Sequence, residues 1–228
     1  MNSTQPRTGR GADTREAILT AAEHLYAEHG LSSVSNRQIG EAAGQGNTTA
    51  VSYHFGSKAT LVRAIMNRHS TRVDAIRTRY VEAAGDSTDL RDWVGCLLRP
   101  GADHLASLGV PSWHARFAVQ VMTDPLMRTV VEDESLTRDS LRRTLQGLGR
   151  CLYDVVPPEV RPTRAEMARH LITHTFAERE RALAEAAATA ASTGTALAAA
   201  EPAAAWARTA DTLEDALVGL LAAATAHR

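Results

Sequence analysis

Apolar residues recur three and four positions apart along this chain, a spacing that predicts helices from residue 14 to the C-terminal end. Ile18, Leu19, Ala22, Leu25 and Tyr26 mark a first helix over about residues 14–29, with Gly30 as its stop. Ser35 followed by Gln38 reads as a capping box for a short second helix, which carries Ile39, Ala42 and Ala43 and ends at Gly44. Gln45, Gly46 and Asn47 then make a polar turn into a third helix, where Val51 and Phe55 share one side. Ser57 caps a longer fourth helix with the stripe Leu61, Val62, Ile65, Met66, Val73, Ile76 and Tyr80. Beyond Gly85, a helix over residues 90–99 stops at Pro100 and Gly101, and another over residues 112–122 stops near Asp124 and Pro125. Leu141, Leu145, Leu148 and Leu152 define a helix ahead of Pro157 and Pro158. Thr163 with Glu166 reads as a second capping box, opening a helix through Met167, Leu171, Ile172, Thr175, Phe176 and Leu183. The alanine-rich residues 187–200 read as partly helical or as a loop. A last helix begins near Pro202 and presents Trp206, Ala210, Leu213, Leu217, Leu220 and Ala224, a stripe that requires a partner helix.

The expected fold class is therefore all-α, and heavy use of alanine supports it. With 228 residues, 44% of them hydrophobic, the chain can bury a sizeable core, enough for two helical sub-domains. No run approaches a membrane span, and residues 1–13 are too polar for a signal peptide, so a cytoplasmic protein is expected. Cys96 and Cys151 form no CxxC pair, which suggests neither a zinc site nor a disulfide scaffold. His170 and His174 stand four apart as a chelating pair would, yet no HExxH glutamate accompanies them, and no metal or other cofactor is expected. No nucleophile with a paired base and no phosphate loop is present, which argues against an enzyme. Charge is uneven: through Arg72 there are eight basic and five acidic side chains, although the whole chain carries −1. A basic head on an acidic body fits a nucleic-acid contact confined to one end.

Reading a major groove takes a short helix with exposed polar side chains and a preceding helix that braces it. The second and third patterns supply that pair, with Gly44 allowing the turn and the run from Asn47 through Lys58 carrying small polar side chains. Ala43 and Gly44, then Tyr53, His54 and Phe55, then Ser57 and Lys58 resemble the DNA-binding head of the TetR family of bacterial regulators. The likeness covers about a quarter of the chain, residues 14–69. Between the Ala-Gly turn and the aromatic cluster the chain has one residue more than the family's commonest spacing, around Gln45 to Thr48, which bears on the register of base-reading positions.

The resemblance implies an N-terminal three-helix DNA-binding head with a helix-turn-helix and a C-terminal helical ligand-binding and dimerisation bundle. Residues 1–12 would be a disordered arm, 13–60 the DNA-binding domain and 61–228 the body. It implies that Arg37 touches a base or phosphate, and that Thr48, Thr49, Ala50 and Ser52, just after Asn47, face the groove. Tyr53 and His54 would donate to phosphates, Lys58 would add charge at a helix N-terminus, and Arg7, Arg10 and Arg15 would follow the backbone or minor groove. The last two long helices would pair with those of a second copy, Leu171, Phe176, Leu213, Leu217 and Leu220 forming the homodimer contact. For an effector pocket the chain offers Trp93, Trp113, Phe117, Met122, Met127 and Phe176, with His114, His170 or His174 as polar anchors. The function implied is a ligand-responsive repressor that binds a palindromic operator as a homodimer and is released by a small molecule. The alternative is a helical enzyme or ligand-binding adaptor without DNA binding.

Overall fold

The computed structural model describes residues 7–47, 49–135, 137–194 and 201–224, with backbone only for 7–10, 130 and 132–135. Among the described residues all regular structure is helical: α1 (Arg7–His29), α2 (Asn36–Ala42), α3 (Ala50–Phe55), α4 (Lys58–Ala84), α5 (Leu90–Ser107), α6 (His114–Thr123), α7 (Pro125–Ser135), α8 (Asp139–Leu152), α9 (Arg161–Thr193) and α10 (Glu201–Ala222). None of these is long and apolar enough to cross a membrane.

The head forms where its local signals place it. Ser35 Oγ accepts from the Gln38 amide at 3.3 Å and Gln38 Oε1 accepts from the Ser35 amide at 2.9 Å, which is the capping box that opens α2. Ser57 Oγ accepts from the Thr60 amide at 3.1 Å and caps α4 without the reciprocal bond. Gly44, at φ +68°, turns the chain between α2 and α3, a conformation that side chains with a Cβ resist. Ile18, Leu19, Ala22 and Tyr26 from α1 meet Ile39, Val51, Phe55, Leu61, Val62 and Ile65 in one core. Phe117 and Val121 of α6 and Val131 of α7 enter that same core. No break occurs at residue 60, because α4 places Leu61 to Ile65 in the head and Val81 in the body core.

Four boundaries differ from the sequence expectation. α1 starts at Arg7 rather than near Thr14, because an apolar stripe records what a helix buries and not where its backbone ends. α5 runs through Pro100 instead of stopping there. Proline supplies no N–H for the Cys96 carbonyl one turn back, and Arg77 Nε of α4 donates to that carbonyl at 3.3 Å instead. Asp124 does end α6, but its Oδ1 accepts from the Leu126 and Met127 amides at 3.0 and 3.1 Å, so Asp124 and Pro125 also open α7, a helix the periodicity did not indicate. α9 begins at Arg161, ahead of the Thr163 and Glu166 pair, with Pro162 in its first turn. Its alanine-rich end stays helical to Thr193, and residues 195–200 of that stretch lie outside the described residues.

In the body, α5 lies between α4, α8 and α10, while α9 packs on α6 and α10. The stripe of α10 finds its partner within the chain: Trp206, Ala210, Leu213 and Leu217 are buried against the body core. Buried Glu214 fixes that packing, accepting from Arg99 Nε at 2.6 Å and Arg91 Nη1 at 3.1 Å. A second buried carboxylate, Glu180 of α9, accepts from Ser112 Oγ at 2.9 Å and from the Ala115 and Arg116 amides at 3.1 and 2.9 Å. It supplies from 64 residues away the acceptor that the first turn of α6 lacks locally. Arg116 then reaches Glu28 of α1 at 2.8 Å, so α6 is held by the body at its start and by the head along its length.

Candidate nucleic-acid interface

The short helix α3 stands on Val51 and Phe55, which are buried, and turns Thr49, Ser52 and Tyr53 outward. Tyr53 is 85% exposed, so its ring is no part of the head core and its phenol is free to donate. Asn47 Oδ1 accepts from the Thr49 amide at 2.9 Å and from Thr49 Oγ1 at 2.7 Å, fixing the entry to the helix. Ser52 Oγ accepts from Asn36 Nδ2 at 3.2 Å, which ties the start of α2 to the middle of α3. His54 is half-buried, its ring edge-on to Tyr53 at 5.3 Å. Arg37 is exposed on α2 with Glu41 as an i,i+4 partner at 3.4 Å, a weak surface pair that leaves the guanidinium able to rearrange. Ala50 is half-buried, and Thr48 lies outside the described residues.

Two basic residues do other work than expected. Lys58 Nζ donates to the Leu31 carbonyl at 2.6 Å and lies 5.9 Å from the Tyr26 ring centroid, so its charge faces the loop after α1. It positions α4 against α1 and is not aimed at an external phosphate. Arg15, on a helix rather than an arm, lies over the Phe55 ring at 5.0 Å and covers the end of α3. The side chains of Arg7 and Arg10 lie outside the description.

The residues expected to line a pocket are scattered. Trp93 is buried, donates from Nε1 to the Ser87 carbonyl at 2.8 Å and presses its ring on Gly147, where no Cβ fits. Phe117 belongs to the head core, 6.1 Å from the Tyr26 ring. Phe176 is buried edge-on to Trp206 at 5.7 Å. Trp113, with His24 at 4.4 Å, and Met122 and Met127 are half-buried, whereas His170 and His174 are exposed on α9. An apolar cavity of about 510 Å³ lies elsewhere, between α5, α8, α9 and α10. Leu145, Leu148, Leu152, Ile172 and Leu221 contribute to its walls, and Arg161 and Arg164 at the start of α9 and Arg169 further along that helix are its basic side chains. The leucine stripe of α8 was legible; that it faces a cavity depends on how α9 crosses it.

Of the five residues expected at a homodimer contact, Phe176, Leu213 and Leu217 are buried inside this chain, Leu220 is half-buried and Leu171 is exposed. Exposed Met167 adds to Leu171 on the outer face of α9.

Solved structures with a similar course of chain include NalD of Pseudomonas aeruginosa, the secondary repressor of the MexAB-OprM multidrug efflux pump, at 24% identity, 75% of this chain, 86% of that one and a TM-score of 0.49. AmtR of Mycobacterium smegmatis shares 20% identity over 91% of this chain and 95% of its own, with a TM-score of 0.49. The TetR-like regulator LfrR of the same organism, in complex with proflavine, shares 18% over 95% and 99%, with a TM-score of 0.44. No curated protein matches the chain. Residues 18–65 match the model of the bacterial regulatory proteins of the tetR family, a span that takes in α2, α3 and the buried face of α1.

Proposed function

We propose that the protein is a homodimeric, ligand-responsive transcriptional repressor that acts in the cytoplasm, binds a palindromic operator and leaves it when a small molecule occupies the body. The observation that carries this reading is the contrast on α3: an inner face packed through Val51 and Phe55, and an outer face on which the side chains of Thr49, Ser52 and Tyr53 are exposed. A helix held that rigidly can enter a groove without first being ordered. Arg37 and His54 extend the donor set toward bases and phosphates, with Asn47 shaping the turn before them. Two copies are required for a palindrome, and the outer faces of α9 and α10, with Met167 and Leu171 exposed, are the surfaces on which they would pair.

The apolar cavity of about 510 Å³ is the place for an effector, in the range of small-molecule sites. Its walls take a largely hydrocarbon body, and Arg161 and Arg164 suit an acidic or carbonyl-bearing end. Both already bond to backbone carbonyls, Arg161 to Val156 and Tyr153 and Arg164 to Leu221, so a ligand that draws on them also loosens the start of α9.

The test uses the purified full chain and DNA from its own upstream region. Binding should favour that DNA over random duplex and weaken steeply between 50 and 200 mM salt, with a log–log slope of about −0.9 per phosphate contacted. The Thr49→Ala, Tyr53→Ala double variant should lose the shift while keeping its helical spectrum and its sedimentation as a dimer. Equal affinity for random DNA, or an unaffected double variant, refutes the reading in favour of an adaptor or enzyme.

A further inference from the structure

Glu23 of α1, His69 of α4, His104 of α5 and His114 of α6 converge where the head meets the body. Glu23 stands four residues after Leu19 and His69 four after Ile65, so each takes a place on its helix that the apolar stripe would give to a hydrocarbon. Glu23, His69 and His104 are all buried. Groups of this kind are kept inside a protein only with partners. Arg68 bonds Glu23 Oε2 and also holds Glu16 at 2.6 Å. Glu23 Oε1 faces two imidazole nitrogens, His69 Nε2 at 2.9 Å and His114 Nδ1 at 3.5 Å. On its other side His69 Nδ1 lies 2.8 Å from His104 Nε2. The line from Glu23 through His69 to His104 is thus complete without a fourth member. His114 Nδ1 is nevertheless buried beside it and makes no hydrogen bond, its ring stacked 3.7 Å from that of His69.

We propose that Glu23, His69 and His114 are the ligands of a divalent transition-metal ion of the zinc class, bound at the junction of head and body. One carboxylate and two imidazoles suit zinc, cobalt or nickel, whereas magnesium and calcium take oxygen donors. The donor atoms lie within 4.8 Å of one another, and tetrahedral zinc with bonds of about 2.0–2.1 Å holds its donors about 3.3 Å apart. Closing that gap takes a modest contraction. Imidazole lone pairs lie in the ring plane, so His114 must rotate out of its stack on His69 to bind. His69 stands on α4 and His114 on α6, and the ion therefore alters how the body helix sits against the head.

The surroundings match what a metal-binding histidine needs. With an ion on Nε2, His69 carries its proton on Nδ1 and donates it to His104 Nε2, which makes His104 a positioning residue. Glu16 balances Arg68, the cation nearest the site. Three protein ligands leave a further coordination position for water or a small anion.

The experiment is equilibrium dialysis of the chelator-treated full chain against zinc alone, with cobalt as a visible-absorption probe; neither depends on DNA. One ion per chain is expected, with melting raised by about 5–10 °C at zinc a hundred times its dissociation constant. His114→Phe keeps the stack and removes the donor nitrogen, and should weaken binding at least 100-fold, while His104→Gln should weaken it about 10–100-fold. Replacing both His170 and His174 by Gln should change nothing. X-ray absorption of the zinc-loaded wild-type chain should report two imidazoles, whatever the variants do. No bound ion at micromolar zinc, loss of the ion with the exposed His170 and His174 pair, or a spectrum with fewer than two imidazoles overturns the proposal.

Discussion

The head and the body are both helical and both well packed, but they are held together by different kinds of contact. In the head the bonds that open α2 and α4 close over three residues, Ser35 with Gln38 and Ser57 with Thr60. In the body they close over 64 residues at Glu180 and 115 at Glu214. Local bonds define a helix end from within the sequence, whereas long-range bonds define how finished helices meet. The head can therefore set its helix ends locally, although its core is completed by Phe117, Val121 and Val131 of α6 and α7. The body depends on buried carboxylates whose partners come from other helices.

The largest effect should come from breaking the contact that joins the two regions. Glu180→Ala leaves Ser112 Oγ and the Ala115 and Arg116 amides without their buried acceptor and should lower stability by about 3–5 kcal/mol in urea unfolding. Because α6 carries Phe117 and Val121 into the head core, head and body signals should shift together. Fluorescence of Trp93 in a Trp113→Phe, Trp206→Phe background and helical signal from the whole chain moving apart would show that the two regions are independent.

A smaller loss tests packing inside the body alone. Gly147→Ala drives a methyl into the Trp93 ring and should cost about 1–3 kcal/mol, whereas Gly149→Ala, two residues on with open space around it, should gain about 0.5–1 kcal/mol. Equal responses at the two glycines would mean that α8 does not face Trp93 as described. Ser35→Ala removes the capping box of α2 and should cost about 1 kcal/mol, read in the same urea titration.

How much of this was legible follows the same division. The head was readable because Ser35, Gln38, Gly44 and Ser57 act on residues within a turn of themselves, and because the Tyr53, His54 and Phe55 run resembles a known family. The continuation of α5 through Pro100 was not readable, since the group that satisfies the Cys96 carbonyl is Arg77 on another helix. Trp93 and Phe117 look like pocket residues from size alone; only packing against Gly147 and Tyr26 shows them to be core. The cavity fell instead to the leucines of α8 and the foot of α9. Glu23 and His69 did leave a signal, as polar residues one turn beyond Leu19 and Ile65, and it was the kind of signal a search for spaced ligands along one segment passes over.

The smallest expected change in stability is also the sharpest functional one. Tyr53 makes an edge contact with His54 and is otherwise exposed, so Tyr53→Ala removes almost no buried surface and should alter unfolding by less than about 0.5 kcal/mol. In the proposed complex the same ring lies against the DNA backbone, where its loss removes a phosphate donor and should weaken operator binding roughly evenly across sequences, lowering the salt slope by about one contact. Thr49→Ala, which also breaks the bond to Asn47 Oδ1, should instead relax preference at one base step while leaving the slope nearly unchanged. Measuring both variants against the operator and a random duplex separates positioning from reading on a helix of six residues. If the two variants prove indistinguishable in slope and in preference, the outer face of α3 does not divide that labour, and the register inferred across Asn47 to Tyr53 is wrong.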